Sequence, residues 1–253
     1  MIRRITEREY WIVGTDAPQS GYLEPYLTGQ VQTTNRNIPI YVYASGGKAR
    51  VVRPRQYVDN VTIPRLGPDE DIGSKLSLAP LTEPQFAALR SKYMNEKIRP
   101  ATPACSFGVL VDGKLVGAYA LVFQAHFTVE GWVSRGLEEP RAYLLSDFPV
   151  APTKHRRLAK LVLLAAVSRE GQLLAERYGH KRIRSLISTA FSQKAVSMKY
   201  RGVFEILSRK ESTVEGARFM LNYGSRVGGH TLGESLALWK SKWAGSSKDE
   251  GAA

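Results

Sequence analysis

Cysteine is nearly absent from this chain: its 253 residues contain one, Cys105. No intramolecular disulfide can form, and no Cys-rich zinc site can be assembled from it. A reducing, cytoplasmic setting is expected. The sequence also lacks the run of about 18 apolar residues that a membrane-spanning helix needs, and its start, Met1-Ile2-Arg3-Arg4-Ile5-Thr6-Glu7, leads into no uninterrupted apolar stretch. Neither secretion nor membrane insertion is expected. The four histidines, His126, His155, His180 and His230, show no ligand spacing of the H-x-x-x-H kind and read as surface or cap residues. Acidic residues are in deficit, 23 Asp+Glu against 36 Lys+Arg, which leaves a formal net charge of +13. Hydrophobic residues make up 43%, enough for a sizeable core, so disorder throughout is excluded.

The positive excess is concentrated. From Val150 to Lys210 there are 14 Lys/Arg against three Glu, a surplus of 11 out of the total of +13. A merely solubilising surface would spread its charge evenly, so a polyanion, nucleic acid included, is the expected partner.

Along the chain, residues 1–80 read as an irregular, β-rich extension. Ile38-Pro39-Ile40-Tyr41-Val42-Tyr43, the turn Ser45-Gly46-Gly47-Lys48 and Ala49-Arg50-Val51-Val52 form an expected hairpin with Pro39 near its edge. Gly67-Pro68-Asp69-Glu70-Asp71-Ile72-Gly73 reads as an acidic turn or linker near the boundary. A main domain is expected over 81–245, with a frayed tail over 246–253. Thr82, Pro84 and Gln85 form a capping-box start that predicts a helix over 83–96, with Phe86, Leu89 and Tyr93 on one face. Asp112-Gly113 between two β-branched, aromatic runs predicts a hairpin. The run 143–150 reads as a strand, followed by one long amphipathic helix with Leu158, Leu161, Val162 and Ala165 buried and Arg156, Arg157 and Lys160 at its start. Further on come a strand at 184–189, a short helix over 194–202 closed by Gly202, a strand at 203–207, and a last helix opening at Thr231 with Glu234 in capping-box position.

That order of elements resembles the GNAT-fold acyltransferases over roughly residues 81–210. Asp112-Gly113-Lys114-Leu115-Val116-Gly117 resembles the family's D-G-x-x-V-G hairpin, Val150-Ala151-Pro152 its V-x-P lead-in to the long helix, and Ser192 to Phe204 its closing segment. The fold so implied is α/β (α+β), a mixed twisted sheet flanked by helices. One motif departs. Where the family carries R/Q-x-x-G-x-G/A, so that backbone N–H groups reach a pyrophosphate, this chain has His155-Arg156-Arg157-Leu158-Ala159-Lys160, with Leu158 and Lys160 in the glycine places. Side chains there argue against acetyl-CoA. A basic GNAT-like chain without the glycine loop is similar to the Mom family of bacteriophage DNA-modification proteins, which convert the exocyclic amine of adenine to an N6-carbamoylmethyl group and protect phage DNA from restriction. The match rests on Lys92-Tyr93, on Leu145-Ser146-Asp147-Phe148 and on Lys199-Tyr200-Arg201-Gly202. The family's His before the tyrosine is here Lys92.

The resemblance implies a transferase with Asp147 as general base or metal ligand and Tyr93 as acid, ligand or base-stacking platform. Asp147 would lie where its strand splays from the next, near Ser188 and Thr189. Tyr200 would hold the acyl or phosphate end of a cofactor or stack on a base, with Ser192 and Lys194 beside it. Iron would be the cofactor, with Asp147 and Tyr93 as candidate ligands. Lys154, His155, Arg156, Arg157, Lys160, Lys181, Arg182, Lys199 and Arg201 would grip double-stranded DNA while the target base is extruded. Each has a plain structural alternative: Asp147 as a strand-end acid capping the next turn, Tyr93 and Tyr200 as packed tyrosines. Two other functions stay open, an acetyl-CoA-dependent N-acetyltransferase of a small amine or protein, and a non-catalytic DNA-binding protein on the same scaffold.

Overall fold

The structure, a computed structural model, describes residues 11–32, 39–45, 61–94, 102–123, 137, 140–150, 154–155 and 157–244. The chain divides into two compact units, Met1–Tyr57 with Glu96–Ala101, and Val58–Asn95 with Thr102–Ala253.

In the first unit, β1 (Ile12–Thr15), β2 (Leu27–Gln32) and β3 (Pro39–Ala44) form an antiparallel sheet in the order β1-β3-β2. Trp11, Leu23 and Tyr43 are its buried centre. The expected strand at 38–43 is therefore central rather than half of a two-stranded hairpin, and its proposed return strand at 49–52 lies outside the described residues. Pro39 is not at an edge. It opens the central strand opposite Gln32, an end position where a missing N–H is tolerated.

The second unit holds a seven-stranded sheet in the order β4-β5-β6-β7-β8-β10-β9. Its strands are β4 (Leu76–Leu81), β5 (Cys105–Val111), β6 (Lys114–Val122), β7 (Arg141–Pro149), β8 (Ser185–Ser192), β9 (Glu205–Glu211) and β10 (Phe219–Arg226). Neighbours are antiparallel except β7 and β8. β4 pairs with β5 along its whole length, so the larger unit begins upstream of residue 81. Helix α1 (Glu83–Tyr93) opens on the predicted box, Gln85 Oε1 accepting from the Thr82 N–H at 3.0 Å. The β5–β6 turn has Asp112 at φ 47° and Gly113 at φ 79°, the left-handed pair that a two-residue hairpin requires.

The long helix is two. Helix α2 (Leu158–Val167) and helix α3 (Arg169–Gly179) meet at Ser168, whose ψ of 166° breaks the spiral while its Oγ accepts from Gly171 N at 3.0 Å. Hydrophobic periodicity runs across the junction, which is why the sequence reads as continuous. All of α2 except Ala159 is buried, because the helix lies between the sheet and α4 (Leu232–Trp239). Its approach to β6 depends on Gly117, where a Cβ would stand 2.2 Å from Val162 Cγ2. The predicted helix over 194–202 does not form. Those residues are bends and turns, with Gly202 at φ 86° and the Arg201 N–H bonded to the Ser197 carbonyl.

Candidate functional site

β7 and β8 are hydrogen-bonded only from Arg141↔Ser185 to Tyr143↔Ile187. Beyond that the strands part, as expected, and side chains fill the gap. Ser188 Oγ donates to the Leu144 carbonyl at 3.0 Å and lies 3.0 Å from Tyr200 Oη. Tyr200 in turn donates to Asp147 Oδ1 at 2.9 Å. Its ring stacks on Tyr223, centroids 4.8 Å apart and planes 18° from parallel. Lys199 Nζ sits 2.6 Å from Asp147 Oδ2 and donates to the Asp147 carbonyl at 2.7 Å. Asp147, Tyr200 and Ser188 are all buried.

Burial pushes the Asp147 carboxyl up from the usual aspartate range, while Lys199 and the Tyr200 hydroxyl pull it back. Burial, and then the neighbouring Asp147 charge, push the Tyr200 phenol well above its ordinary value. A proton at this cluster is thus held by carboxyl and phenol more tightly than in water.

A second lysine braces the cluster from below. Lys160, buried in the first turn of α2, donates to the Arg201 carbonyl and, at 3.5 Å, to the Lys199 carbonyl, with its ammonium 5.0 Å from the Trp243 ring centroid. Burial, reinforced by the charges of Arg157 and Arg201, lowers it to about 8. The two carbonyls flank Tyr200. Lys160 therefore sets the turn that delivers Lys199 and Tyr200 to Asp147, and it is not at the surface where a DNA phosphate would meet it.

The remaining candidates are dispersed. Tyr93 packs against the core cluster that contains Phe86, Leu89 and Phe148, with the Arg65 guanidinium 5.5 Å from its ring centroid. Since Phe148 and Asp147 are consecutive on β7, they point to opposite faces of the sheet, and the structure does not bring Tyr93 to Asp147. Ser192 closes β8, its Oγ accepting from Lys194 N at 3.0 Å, and Lys194 is exposed. Lys154 bonds the Asp69 carbonyl and Asp71 Oδ1 at 2.6 and 2.8 Å, and His155 Nε2 meets the Glu70 carbonyl at 2.5 Å. The acidic turn is thus no linker but a partner for part of the basic segment. Arg157, Lys181, Arg182 and Arg201 are exposed, whereas Arg156 lies outside the described residues.

Among the described residues no three His, Cys, Asp or Glu side chains stand close enough to hold a metal ion. Asp147 has Lys199 against one oxygen and a phenol on the other, and Tyr93 is across the sheet. This donor set does not fit iron. Tyr223, Trp243 and the ion-pairing role of Lys199 were not legible in the sequence, whereas Asp147, Tyr200 and the splay near Ser188 were.

An antiparallel-flanked sheet with one parallel pair that parts around a buried acid, followed by a helix start on the same side, defines a GNAT-like α/β protein. The chain belongs to the phage GNAT-like domain family, whose model matches residues 73–244. Residues 1–66 match phage DNA adenine methylase-like domain 1. No curated protein matches the chain. Solved structures similar to it include a Bacillus subtilis acetyltransferase in complex with CoA, at 10% identity over 60% of this chain and 98% of that one, TM-score 0.39. Another is a Streptococcus pneumoniae acetyltransferase of the GNAT family, at 16% identity over 61% and 100%, TM-score 0.35. Among the described residues no helix is long and apolar enough to cross a membrane.

Proposed function

We propose that this protein is a transferase that modifies the exocyclic N6 amine of adenine in DNA, by carbamoylmethylation of the Mom kind, and so shields phage DNA from restriction. The observation that carries the reading is the pairing on one chain of a phage GNAT-like domain at 73–244 with a match to a domain family named for DNA adenine methylation at 1–66.

The buried acid suits that chemistry. An aromatic exocyclic amine is a poor nucleophile and must lose a proton as it attacks. N6 bonds to the reacting carbon of the donor, the bond from that carbon to its leaving group breaks, and the N6 proton passes to Asp147, whose burial raises its proton affinity. Tyr200 orients the carboxylate through Oδ1. Lys199, with about a third of its side chain exposed, has room to leave Oδ2 when the base arrives. Acetyl-CoA is disfavoured as donor, because Leu158 and the braced Lys160 stand at the start of α2 where bare backbone would have to meet a pyrophosphate.

Mass spectrometry of nucleosides from the DNA of expressing cells tests the reading. Wild-type protein is expected to yield a modified deoxyadenosine, and Asp147→Asn none. Unmodified DNA with well-folded wild-type protein overturns the proposal, and full modification by a folded Asp147→Asn variant removes Asp147 from the mechanism.

A further inference from the structure

The loop 193–202, between β8 and β9, is tied down on one side and bare on the other. On the inner side Ser197 N donates to Tyr223 Oη at 2.7 Å, Lys199 and Tyr200 are bonded to Asp147, and Lys160 holds the carbonyls of Lys199 and Arg201. On the outer side Val196 and Met198 project into solvent, 38% and 49% exposed, alternating with the anchored Ser197 and Lys199. Lys194 and Arg201 are exposed at either end, and no acidic residue occurs between Gln193 and Phe204.

A loop pinned at Ser197, Lys199, Tyr200 and Arg201 cannot fold its two apolar side chains inward, so their area stays in water until a partner covers it. The core of a protein–protein interface is depleted in charge, whereas here the exposed Lys194 and Arg201 bracket the apolar pair within eight residues. Apolar side chains inserted between base steps, with cations on the flanking phosphates, are how proteins kink and unstack a duplex.

We propose that Val196 and Met198 form a wedge that enters the base stack of duplex DNA beside the target adenine, with Lys194 and Arg201 on the adjoining phosphates. This rests on the reading of the chain as a DNA adenine-modifying transferase and adds how the base leaves the helix. Extrusion costs a few kcal/mol of stacking and pairing. The flexible, unbranched Met198 fills the vacated space, and Lys199 and Tyr200, next in sequence, carry the wedge's position directly to Asp147.

The test uses full-length protein and duplexes in which 2-aminopurine, which brightens when unstacked, replaces one adenine in a range of flanking sequences. Wild-type protein is expected to raise the fluorescence. The Val196→Ser/Met198→Ser double variant is expected to give a response roughly tenfold weaker while its low-salt duplex affinity changes by less than about threefold, because phosphate contacts set that affinity. Met198→Leu should keep most of the response. An equal response from the double variant overturns the wedge. So does an unchanged response with altered sedimentation of the free protein, which would assign the apolar pair to contact with a second copy. Nucleosides separate the two proposals: equal adenine modification by wild type and double variant removes the wedge and leaves the chemistry, whereas a wedge-dependent fluorescence rise with no modified nucleoside removes the chemistry and leaves the wedge.

Discussion

Replacing Lys160 by Met should change how stability depends on pH. Lys160 is 4% exposed as a residue, and its proton affinity falls from the ordinary lysine value of 10.5 to about 8. In the unfolded chain the group titrates near its ordinary value. Between those two pH values the unfolded state binds more protons than the native one, so stability rises with pH. Below pH 8 both states are protonated and the native protein carries the full cost of the buried charge, roughly 3 kcal/mol at about 1.36 kcal/mol per pH unit. From about pH 7 to about pH 9.5 the wild type should therefore gain about 2 kcal/mol over Lys160→Met, in which no group titrates there. The variant also leaves the carbonyls of Lys199 and Arg201 without their donor, a penalty of about 1–3 kcal/mol that is nearly pH-independent. Urea unfolding of both proteins at the two pH values isolates the difference, since every other titrating group cancels. A gap between the two midpoints that stays constant with pH would refute the reasoning and place the Lys160 ammonium in contact with water.

Other consequences are open to simple measurement. Gly117→Ala places a methyl 2.2 Å from Val162 Cγ2 and 3.0 Å from the Phe148 carbonyl, and should cost about 1–3 kcal/mol in urea unfolding, recovered in part by Val162→Ala. Burial pushes the Cys105 thiol up to about 12, so the native protein at pH 8 should resist iodoacetamide until denaturant is added, as intact-mass spectrometry would record. If the exposed Arg157, Lys181, Arg182, Lys194 and Arg201 are the phosphate contacts, the log–log salt slope of duplex binding should be about −4.5, and Lys154→Ala should leave it unchanged. A slope that drops with Lys154→Ala would mean the acidic turn releases that lysine to DNA.

What could be read from the sequence was what depends on near neighbours. The capping boxes at Thr82 and Thr231 and the Asp112-Gly113 turn need only residues two or three apart, and all three are where their chemistry put them. The parting of β7 and β8 was legible from the order of elements. The 194–202 segment was not, because its shape is imposed from far away in sequence: Tyr223 and Lys160 supply hydrogen bonds that a helix would have supplied locally. Lys160 was misread for a related reason. A lysine at a helix start looks solvated until its acceptors, about forty residues downstream, are known. The Ser168 break left a serine three residues before a glycine as its only trace, since the apolar pattern continues past it. At Gly171 a Cβ would lie 2.4 Å from the Ala165 carbonyl.

The strand order carries a consequence for synthesis. β10 lies between β8 and β9, although it is made last. Until residues 219–226 leave the ribosome, one edge of β8 is unpaired and β9 has no partner strand, and Ser188 lacks the strand across which Tyr223 will stand. The nascent chain thus passes through an interval in which unpaired β-edges are available to other chains, and Tyr200 lacks the Tyr223 ring on which it stacks until the final strand closes the gap.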